Sequence, residues 1–271
     1  MPTLAHTQVT AQGASPTRWM LVLHGLLGRG SNWRTLARGL VGALPEWGAV
    51  LVDLRMHGDS QGFSPPQTVQ AAAEDLDGVA ARLPGPVEGV LGHSLGGKVA
   101  LAWTAFRPGL RHALILDTNP GPRPAGMGSE TTREVLSALK ALPAVLSSRQ
   151  AFLRQMEAAG QPPALAAWLA MSLRPTEGGF AFGLDLEAME SLLADALIRD
   201  DWAVVSHPPP GLRFDFLLGG RSTTVQPEAV GRLQALAAEG RLGLRVLPQA
   251  GHWLHVDNPE GTLRAVTEAL Q

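Results

Sequence analysis

A serine flanked by glycines is the first feature of this 271-residue chain that could do chemistry. Residues 92–96 read Gly-His-Ser-Leu-Gly, after an apolar run and before apolar residues at helical spacing. Glycines on both sides of Ser94 permit a sharp turn from a strand into a helix, which exposes the hydroxyl at the helix N-terminus. Ser94 is therefore the candidate nucleophile.

Two further loops supply the groups that an acyl-transfer reaction needs. Residues 23–28, Leu-His-Gly-Leu-Leu-Gly, follow another apolar run. We expect the backbone N–H groups of Leu26 and Leu95 to bind a tetrahedral oxyanion, each worth about 3 to 4 kcal/mol. Residues 251–255, Gly-His-Trp-Leu-His, follow the last apolar run, and His252 is the candidate general base.

Four other histidines lie in or beside these loops, and for each we prefer a structural role in the core or in a turn. They are His24, His57, His93 and His255.

The elements that position these loops alternate along the chain. Short apolar runs predict buried strands, and amphipathic stretches between them predict helices, so the fold class is α/β. We expect a mostly parallel, twisted sheet with helices on both faces. The predicted strands are Trp19–Leu23, Ala49–Val52, Val87–Leu91, Ala113–Leu116, Phe214–Leu218 and Leu242–Leu247.

The alternation stops between about residues 121 and 211, where helical patterns occur without strand candidates. We interpret 121–211 as an inserted helical cap on a core formed by 1–120 and 212–271. Capping-box spacings, Thr131 with Glu134 and Ser147 with Gln150, predict helix starts near 132 and 148. Gly160 is the expected stop of the second helix.

Composition narrows the function class. There are 22 basic and 24 acidic residues, a net charge of −2, which gives no electrostatic case for a nucleic-acid partner. The chain has no cysteine, so thiolate metal sites and cysteine nucleophiles are excluded. No apolar run is long enough for a membrane span and the first 17 residues do not resemble a signal peptide, so we expect a cytoplasmic protein. The oligomeric state stays open.

Taken together, the motifs resemble the α/β-hydrolase fold superfamily over nearly the whole chain, and most closely its small cofactor-free, YbfF-like esterases and thioesterases. Besides the elbow and the loop 23–28, the motifs are Asn32-Trp33, Asp-Leu-Arg-Met-His-Gly-Asp-Ser at 53–60 and Gly-Gly-Lys at 96–98. The resemblance implies cleavage of a small-molecule acyl ester or thioester through an acyl-enzyme, with no cofactor or metal. It also implies that the cap shapes the acyl pocket.

The acid of the triad departs from the commonest pattern of the superfamily. The loop after the penultimate strand reads Gly-Gly-Arg-Ser at 219–222 and contains no carboxylate. Asp117 ends the strand after the elbow helix, where the esterases named above place their acid, so we assign Asp117. Glu228 is the alternative. Asp53 is expected to be structural, and Asp215 lies inside a predicted strand.

The sequence also offers candidates for contacts with the substrate. Arginines follow four predicted strands and could form a cationic rim that favours anionic acyl-CoA, and apolar cap residues could line the pocket. The arginines are Arg29, Arg55, Arg123 and Arg221, and the apolar candidates are Trp168, Phe180, Phe182 and Met189.

Three alternative functions use some of the same residues. Gly28-Arg29-Gly30 with Asp53 resembles a dinucleotide fingerprint, but Trp33 stands where its third glycine belongs. Carbon–carbon hydrolysis, lyase chemistry or perhydrolysis could use the same serine site. A non-catalytic protein that binds a small molecule is the third alternative.

Overall fold

The computed structural model describes residues 2–123 and 130–271, with side chains from residue 132 onward in the second range. The strands, in chain order, are β1 (His6–Val9), β2 (Arg18–Leu23), β3 (Trp47–Val52), β4 (Val87–His93), β5 (His112–Leu116), β6 (Leu173–Thr176), β7 (Gly179–Phe182), β8 (Arg213–Gly219) and β9 (Gly243–Leu247). The helices are α1 (Arg34–Ala43), α2 (Val69–Ala80), α3 (Leu95–Thr104), α4 (Glu130–Lys140), α5 (Arg149–Ala158), α6 (Pro163–Leu169), α7 (Leu186–Ile198), α8 (Trp202–Ser206), α9 (Pro227–Ala238), α10 (Leu254–Asp257) and α11 (Pro259–Ala269).

The main sheet has the strand order β1-β3-β2-β4-β5-β8-β9. Strand β1 runs antiparallel to β3, and every other neighbouring pair is parallel. The six strands expected from apolar runs are all present. Strand β1 was not expected because its four residues, His-Thr-Gln-Val, are half-exposed and carry no apolar run.

Helices cover both faces of this sheet, because alternate residues of the central strands point to opposite sides. Met20 and Val22 of β2 pack in the core on the side of α1 and α11. Leu21 and Leu23 pack on the other side, with α2, α3 and α9. The predicted α/β architecture, a mostly parallel sheet between two helical layers, is confirmed.

Between β5 and β8 the chain forms α4 to α8 together with a two-stranded antiparallel sheet of β6 and β7. The expectation of a segment without strands was therefore wrong. The two strands are short and β6 contains Pro175, so neither has an apolar run of the kind that predicts a buried strand. They are joined at Glu177-Gly178, where Gly178 has φ +81°.

The helix ends in this segment partly agree with the sequence. The N-cap of α5 is Ser148, whose hydroxyl accepts from the Ala151 N–H at 3.1 Å, one residue later than expected. Gly160 follows the end of α5 with φ +79°, as predicted. Thr131, expected to precede a helix that starts near 132, lies inside α4, which begins at Glu130, so this expected helix start was two residues late. The side chain of Thr131 is outside the described residues. In the described ranges, no helix has both the length and the hydropathy of a membrane-spanning segment.

Candidate active site

Ser94 lies in a sharp turn between β4 and α3. Its backbone has φ 54° and ψ −117°, a left-handed conformation that a residue with a side chain rarely adopts. A Cβ at Gly92 would collide with the Gly96 carbonyl group, and one at Gly96 would lie 2.5 Å from two backbone oxygens at the end of β2. The turn therefore requires both glycines.

The expected oxyanion donors lie on either side of this turn. Leu95 is the first residue of α3, where the backbone N–H has no acceptor within the helix. Leu26 lies in the loop after β2. Within the described ranges, neither N–H has a hydrogen-bond acceptor, whereas the neighbouring Leu27 N–H donates to Nε2 of His57 at 3.2 Å. Two adjacent loops thus present free backbone donors.

Two buried histidines hold these loops in place. Nε2 of His24 accepts from the Leu54 N–H at 3.0 Å, so Nδ1–H donates to the Gly25 carbonyl at 2.7 Å. His57 donates in the same way from Nδ1 to the Arg55 carbonyl at 2.9 Å. Burial lowers the pKa of His24 to about 4 and that of His57 to about 3. Both rings are neutral at pH 7 and act as structural connectors.

The buried carboxylate of Asp117 forms a hydrogen bond with the partly exposed imidazole of His252. Asp117 follows β5 with φ 44° and is 1% exposed. His252 follows β9, and its Nδ1 lies 2.6 Å from Oδ2 of Asp117. An ionised carboxylate only accepts, so Nδ1 carries the proton and Nε2 is left as the basic nitrogen. Oδ1 of Asp117 accepts from the Gly219 N–H at 3.0 Å.

The loop after β8 contributes hydroxyl groups instead of a carboxylate. Ser222 Oγ donates to Oδ2 of Asp117 at 2.5 Å, and Thr224 Oγ1 lies 3.0 Å from Nδ1 of His252. These two residues were not singled out from the sequence. The sequence feature that could have revealed them is the run of hydroxyl residues Ser222-Thr223-Thr224, in the loop where the superfamily usually places the acid of the triad. The alternative acid, Glu228, is exposed in the first turn of α9.

The remaining candidate carboxylates, Asp53 and Asp215, have other partners. Asp53 accepts from the backbone N–H groups of Gly30 at 2.7 Å and Asp59 at 2.9 Å, and so ties two loops together. Asp215 forms an ion pair with Arg213 at 3.1 Å within β8.

His93 fixes the backbone of His252. Its Nε2–H donates to the His252 carbonyl at 2.8 Å, and the two rings are 4.6 Å apart. His255 stacks on Trp33 at 4.1 Å. Burial, followed by the neighbouring His252, lowers the pKa of His93 well below its usual value and that of His255 to about 4. These aromatic rings support the loop that carries His252.

A cavity of about 700 Å³ brings the candidate groups together. Ser94, Leu95, Leu26 and His252 all line it, and its volume suits a small molecule. Residues from the segment 121–211 complete the lining. Trp168 is among them, with its ring 5.2 Å from that of Trp253.

Not every expected substrate contact reaches this cavity. Arg123, Arg221 and Trp168 line it, but Arg29, Phe180, Phe182 and Met189 do not. Arg29 lies 3.7 Å from Asp59, and the Phe182 ring stacks on Phe152 at 6.0 Å inside the 121–211 segment. Arg55 is buried in an ion pair with Asp75 at 2.7 Å. Of the four arginines expected to form a cationic rim, Arg123 and Arg221 lie at the cavity, whereas Arg29 and Arg55 have carboxylate partners elsewhere. Substrate binding by these arginines stays a prediction.

Lys98, on the first turns of α3, joins both ends of the 121–211 segment to the elbow helix. Its Nζ donates to the carbonyls of Pro120 at 2.8 Å, Gly121 at 3.0 Å and Arg199 at 2.7 Å. It also lies 3.3 Å from Oδ2 of Asp201. The ammonium group is therefore saturated with acceptors.

Within the described part of the chain, no three histidine, aspartate or glutamate side chains form a group that could hold a metal ion.

Comparison with known proteins identifies the family. The model of the alpha/beta hydrolase family matches residues 20–265. The chain belongs to this family. It is 31% identical over 255 residues to the sn-1-specific diacylglycerol lipase of Mus musculus, covering 93% of this chain and 80% of that one. It is 27% identical to the 2-succinyl-6-hydroxy-2,4-cyclohexadiene-1-carboxylate synthase of Serratia proteamaculans, covering 94% of this chain and 93% of that one.

Solved structures support the same α/β-hydrolase fold. A marine microorganism esterase aligns with a TM-score of 0.84 and 22% identity, covering 99% of both chains. E-2-(acetamidomethylene)succinate hydrolase aligns with a TM-score of 0.77 and 20% identity, over 98% of this chain and 94% of that one. The hydrolase fold thus extends over essentially the whole chain, and lipase and esterase relatives support ester hydrolysis as its general activity.

Proposed function

We propose that this α/β hydrolase cleaves carboxylic ester or thioester bonds of small molecules through an acyl-enzyme on Ser94. One observation carries the proposal: the 2.6 Å hydrogen bond from His252 Nδ1 to Asp117 leaves Nε2 as the basic nitrogen of a ring that lines the same cavity as Ser94. The strained serine turn and the free N–H groups of Leu26 and Leu95 support the same reaction.

In this mechanism His252 Nε2 takes the proton of Ser94 as Oγ attacks the acyl carbon. The Leu26 and Leu95 N–H groups stabilise the tetrahedral oxyanion. His252 then gives its proton to the departing alcohol or thiol, which leaves an acyl ester on Ser94. A water molecule, deprotonated by His252, attacks that ester, and collapse of the second tetrahedral intermediate returns the proton to Oγ and releases the carboxylic acid.

The segment 121–211 is proposed to act as the cap that selects the acyl group. Trp168 from this segment and Trp253 from the His252 loop form one apolar wall of the cavity. Large aromatic side chains at such a wall favour an apolar acyl chain or leaving group.

A second reaction class is lyase chemistry at the same serine. The similarity to a 2-succinyl-6-hydroxy-2,4-cyclohexadiene-1-carboxylate synthase over nearly the full length of both chains favours a reaction other than hydrolysis. Both reactions would use Ser94 and His252, so a substrate panel separates them. Release of an acid and an alcohol or thiol marks hydrolysis, whereas elimination incorporates no water.

Labelling with a fluorophosphonate probe tests the nucleophile. We expect one label per chain, located on Ser94 by mass spectrometry, because only a serine with a base and oxyanion donors reacts readily. Ser94→Ala is expected to lose both labelling and hydrolysis of p-nitrophenyl acetate. Ser31→Ala, at an exposed serine outside the cavity, is the matched control and should retain both. Wild-type turnover by Ser94→Ala would contradict the proposal.

A further inference from the structure

Arg123 stands out among the charged residues of the cavity. Its side chain lines the cavity, and its backbone N–H is fixed to the Leu197 carbonyl at 2.7 Å. Two guanidinium nitrogens, Nε and Nη2, are shielded from solvent and have no acceptor within the described ranges. A cation removed from water without a hydrogen-bond acceptor is costly, so natural proteins usually pair it.

The carboxylates near Arg123 do not meet this need. Burial lowers the pKa of the Arg123 guanidinium, and the charge of Asp117 raises it in part. Both oxygens of Asp117 are already occupied, Oδ1 by the Gly219 N–H and Oδ2 by Ser222 and His252. Asp257, the one acidic residue among the described lining of the cavity, accepts from the Gly251 N–H at 2.7 Å. The counter-charge of Arg123 is therefore not supplied by these side chains.

The other cations of the cavity differ from Arg123. Lys98 donates to three carbonyl groups and pairs with Asp201, so its ammonium has no donor to spare. Arg221 is exposed at the edge of the cavity, where water satisfies and screens its charge. Arg123 alone among these three combines a place in the cavity wall with unused, desolvated donors.

We propose that Arg123 binds a carboxylate group of the substrate, so that the enzyme prefers esters or thioesters that carry a second, anionic end. Nε and Nη2 form one edge of the guanidinium plane, and a carboxylate pairs with that edge through two parallel hydrogen bonds. The inference rests on the proposed ester hydrolysis and specifies its substrate class. The carboxylate belongs either to the acyl part or to the leaving group.

Two pairs of esters with matched shapes test this inference. Monomethyl glutarate is compared with methyl 5-methylhexanoate, and 4-acetoxybutanoate with 4-methylpentyl acetate. In each pair an isopropyl group replaces the carboxylate. The first pair places the charge in the acyl part and the second places it in the leaving group. Product formation is followed by proton NMR, and the quantity compared is the ratio of kcat/KM for the charged ester to that for its neutral partner.

Arg123→Gln is expected to lower this ratio by about 10- to 100-fold for one of the two pairs, the size typical of hydrogen bonds to a charged group. Arg123→Lys keeps the charge without the planar edge and should give an intermediate ratio. Arg38→Gln, at an exposed arginine of α1 outside the cavity, is the matched control and should change the ratio by no more than about threefold, because its charge is screened. A ratio for Arg123→Gln within threefold of the wild type for both pairs would overturn the inference.

A binding measurement separates this inference from the proposed function. If the wild-type protein hydrolyses the neutral esters and Ser94→Ala does not, the proposed function stands whatever the ratios are. If none of the esters is hydrolysed, binding of monomethyl glutarate to the Ser94→Ala protein is measured by calorimetry. A Kd that Arg123→Gln weakens at least tenfold supports the carboxylate site, and an unchanged Kd, or no binding, refutes it.

Discussion

The hydrogen bond between His252 and Asp117 decides which imidazole nitrogen can act as a base. Asp117 Oδ2 holds the proton on Nδ1, and Ser222 and Gly219 hold the carboxylate in turn. Each of these contacts is local to one edge of the sheet, where β5, β8 and β9 end. The imidazole is thus oriented by a carboxylate that is itself fixed by two donors, an arrangement that leaves little freedom to either ring or carboxylate.

Asp117→Asn tests the role of this carboxylate. An amide at this position can donate to Nδ1 and so favour the wrong tautomer of His252. We expect kcat for p-nitrophenyl acetate to fall by up to about 10⁴-fold, the size of the same tautomer effect in serine proteases. Glu228→Gln is the control and should keep most of the activity, since its side chain is exposed on α9. The Asp117 assignment fails if Glu228→Gln loses activity and Asp117→Asn does not.

At this scale the sequence indicates where a strand ends, but not which groups meet there. Ser94 and His252 follow strands that are mostly apolar, so their positions at one edge of the sheet could be predicted. The pairing partners of Arg29 and Phe182 could not, because Asp59 and Phe152 approach them only through loop and helix packing. The roles of Ser222 and Thr224 were missed for the same reason.

The elements themselves were largely predictable, since buried strands and amphipathic helices differ in the period of their apolar residues. The exceptions, β1, β6 and β7, are four-residue strands at an edge or in a hairpin. Such strands form because a neighbouring strand offers hydrogen bonds. Four consecutive residues that are largely exposed carry no pattern that would reveal this neighbour in the sequence. Packing context, not local propensity, decided these three elements.

Lys98 connects helix α3 to residues 120–121 and to residues 199–201, and its loss should weaken the contacts between these three parts of the chain. Lys98→Met removes the donor from three backbone carbonyls and from Asp201, which is 4% exposed. Asp201 keeps its ion pair with Arg199 at 2.7 Å, and the Pro120 and Gly121 carbonyls keep the Asp201 N–H and the Asn119 amide as donors. The Arg199 carbonyl loses its Lys98 donor, and an unsatisfied buried acceptor costs about 1 to 3 kcal/mol. We therefore expect a clear drop in the free energy of unfolding, measured by urea denaturation.

Lys140→Met is the matched control for this experiment, because it makes the same side-chain change at an exposed ion pair. Lys140 lies 2.7 Å from Glu190 on the surface. Exposed pairs contribute about 0 to 1 kcal/mol, so the midpoint of unfolding should move little. Equal losses in the two variants would mean that Lys98 does not hold the ends of the 121–211 segment together.

The whole molecule should lose stability in mild acid, because several histidines are buried without charge. His24 and His57 have folded-state pKa values of about 4 and about 3, against 6.5 for a free imidazole. At pH values between those pKa values and 6.5, the unfolded chain binds more protons than the folded one. The free energy of unfolding is therefore not reduced by these histidines above pH 6.5, and it falls as the pH decreases below 6.5. At pH 5 each of the two histidines has lowered the free energy of unfolding by about 2 kcal/mol, which is 1.36 kcal/mol per pH unit over the 1.5 units from pH 6.5 to pH 5.

Together the two rings remove about 4 kcal/mol, a large share of the 5 to 15 kcal/mol that stabilises a typical domain. We expect the urea midpoint to fall steeply from pH 8 to pH 5, and His57→Asn to show a smaller fall over the same range, although it is less stable at pH 8. His207→Asn, at an exposed histidine, should leave the slope unchanged. A midpoint that is constant from pH 8 to pH 5 would show that these loops take up protons without unfolding, and that His24 and His57 do not hold the Leu26 loop in the way their hydrogen bonds indicate.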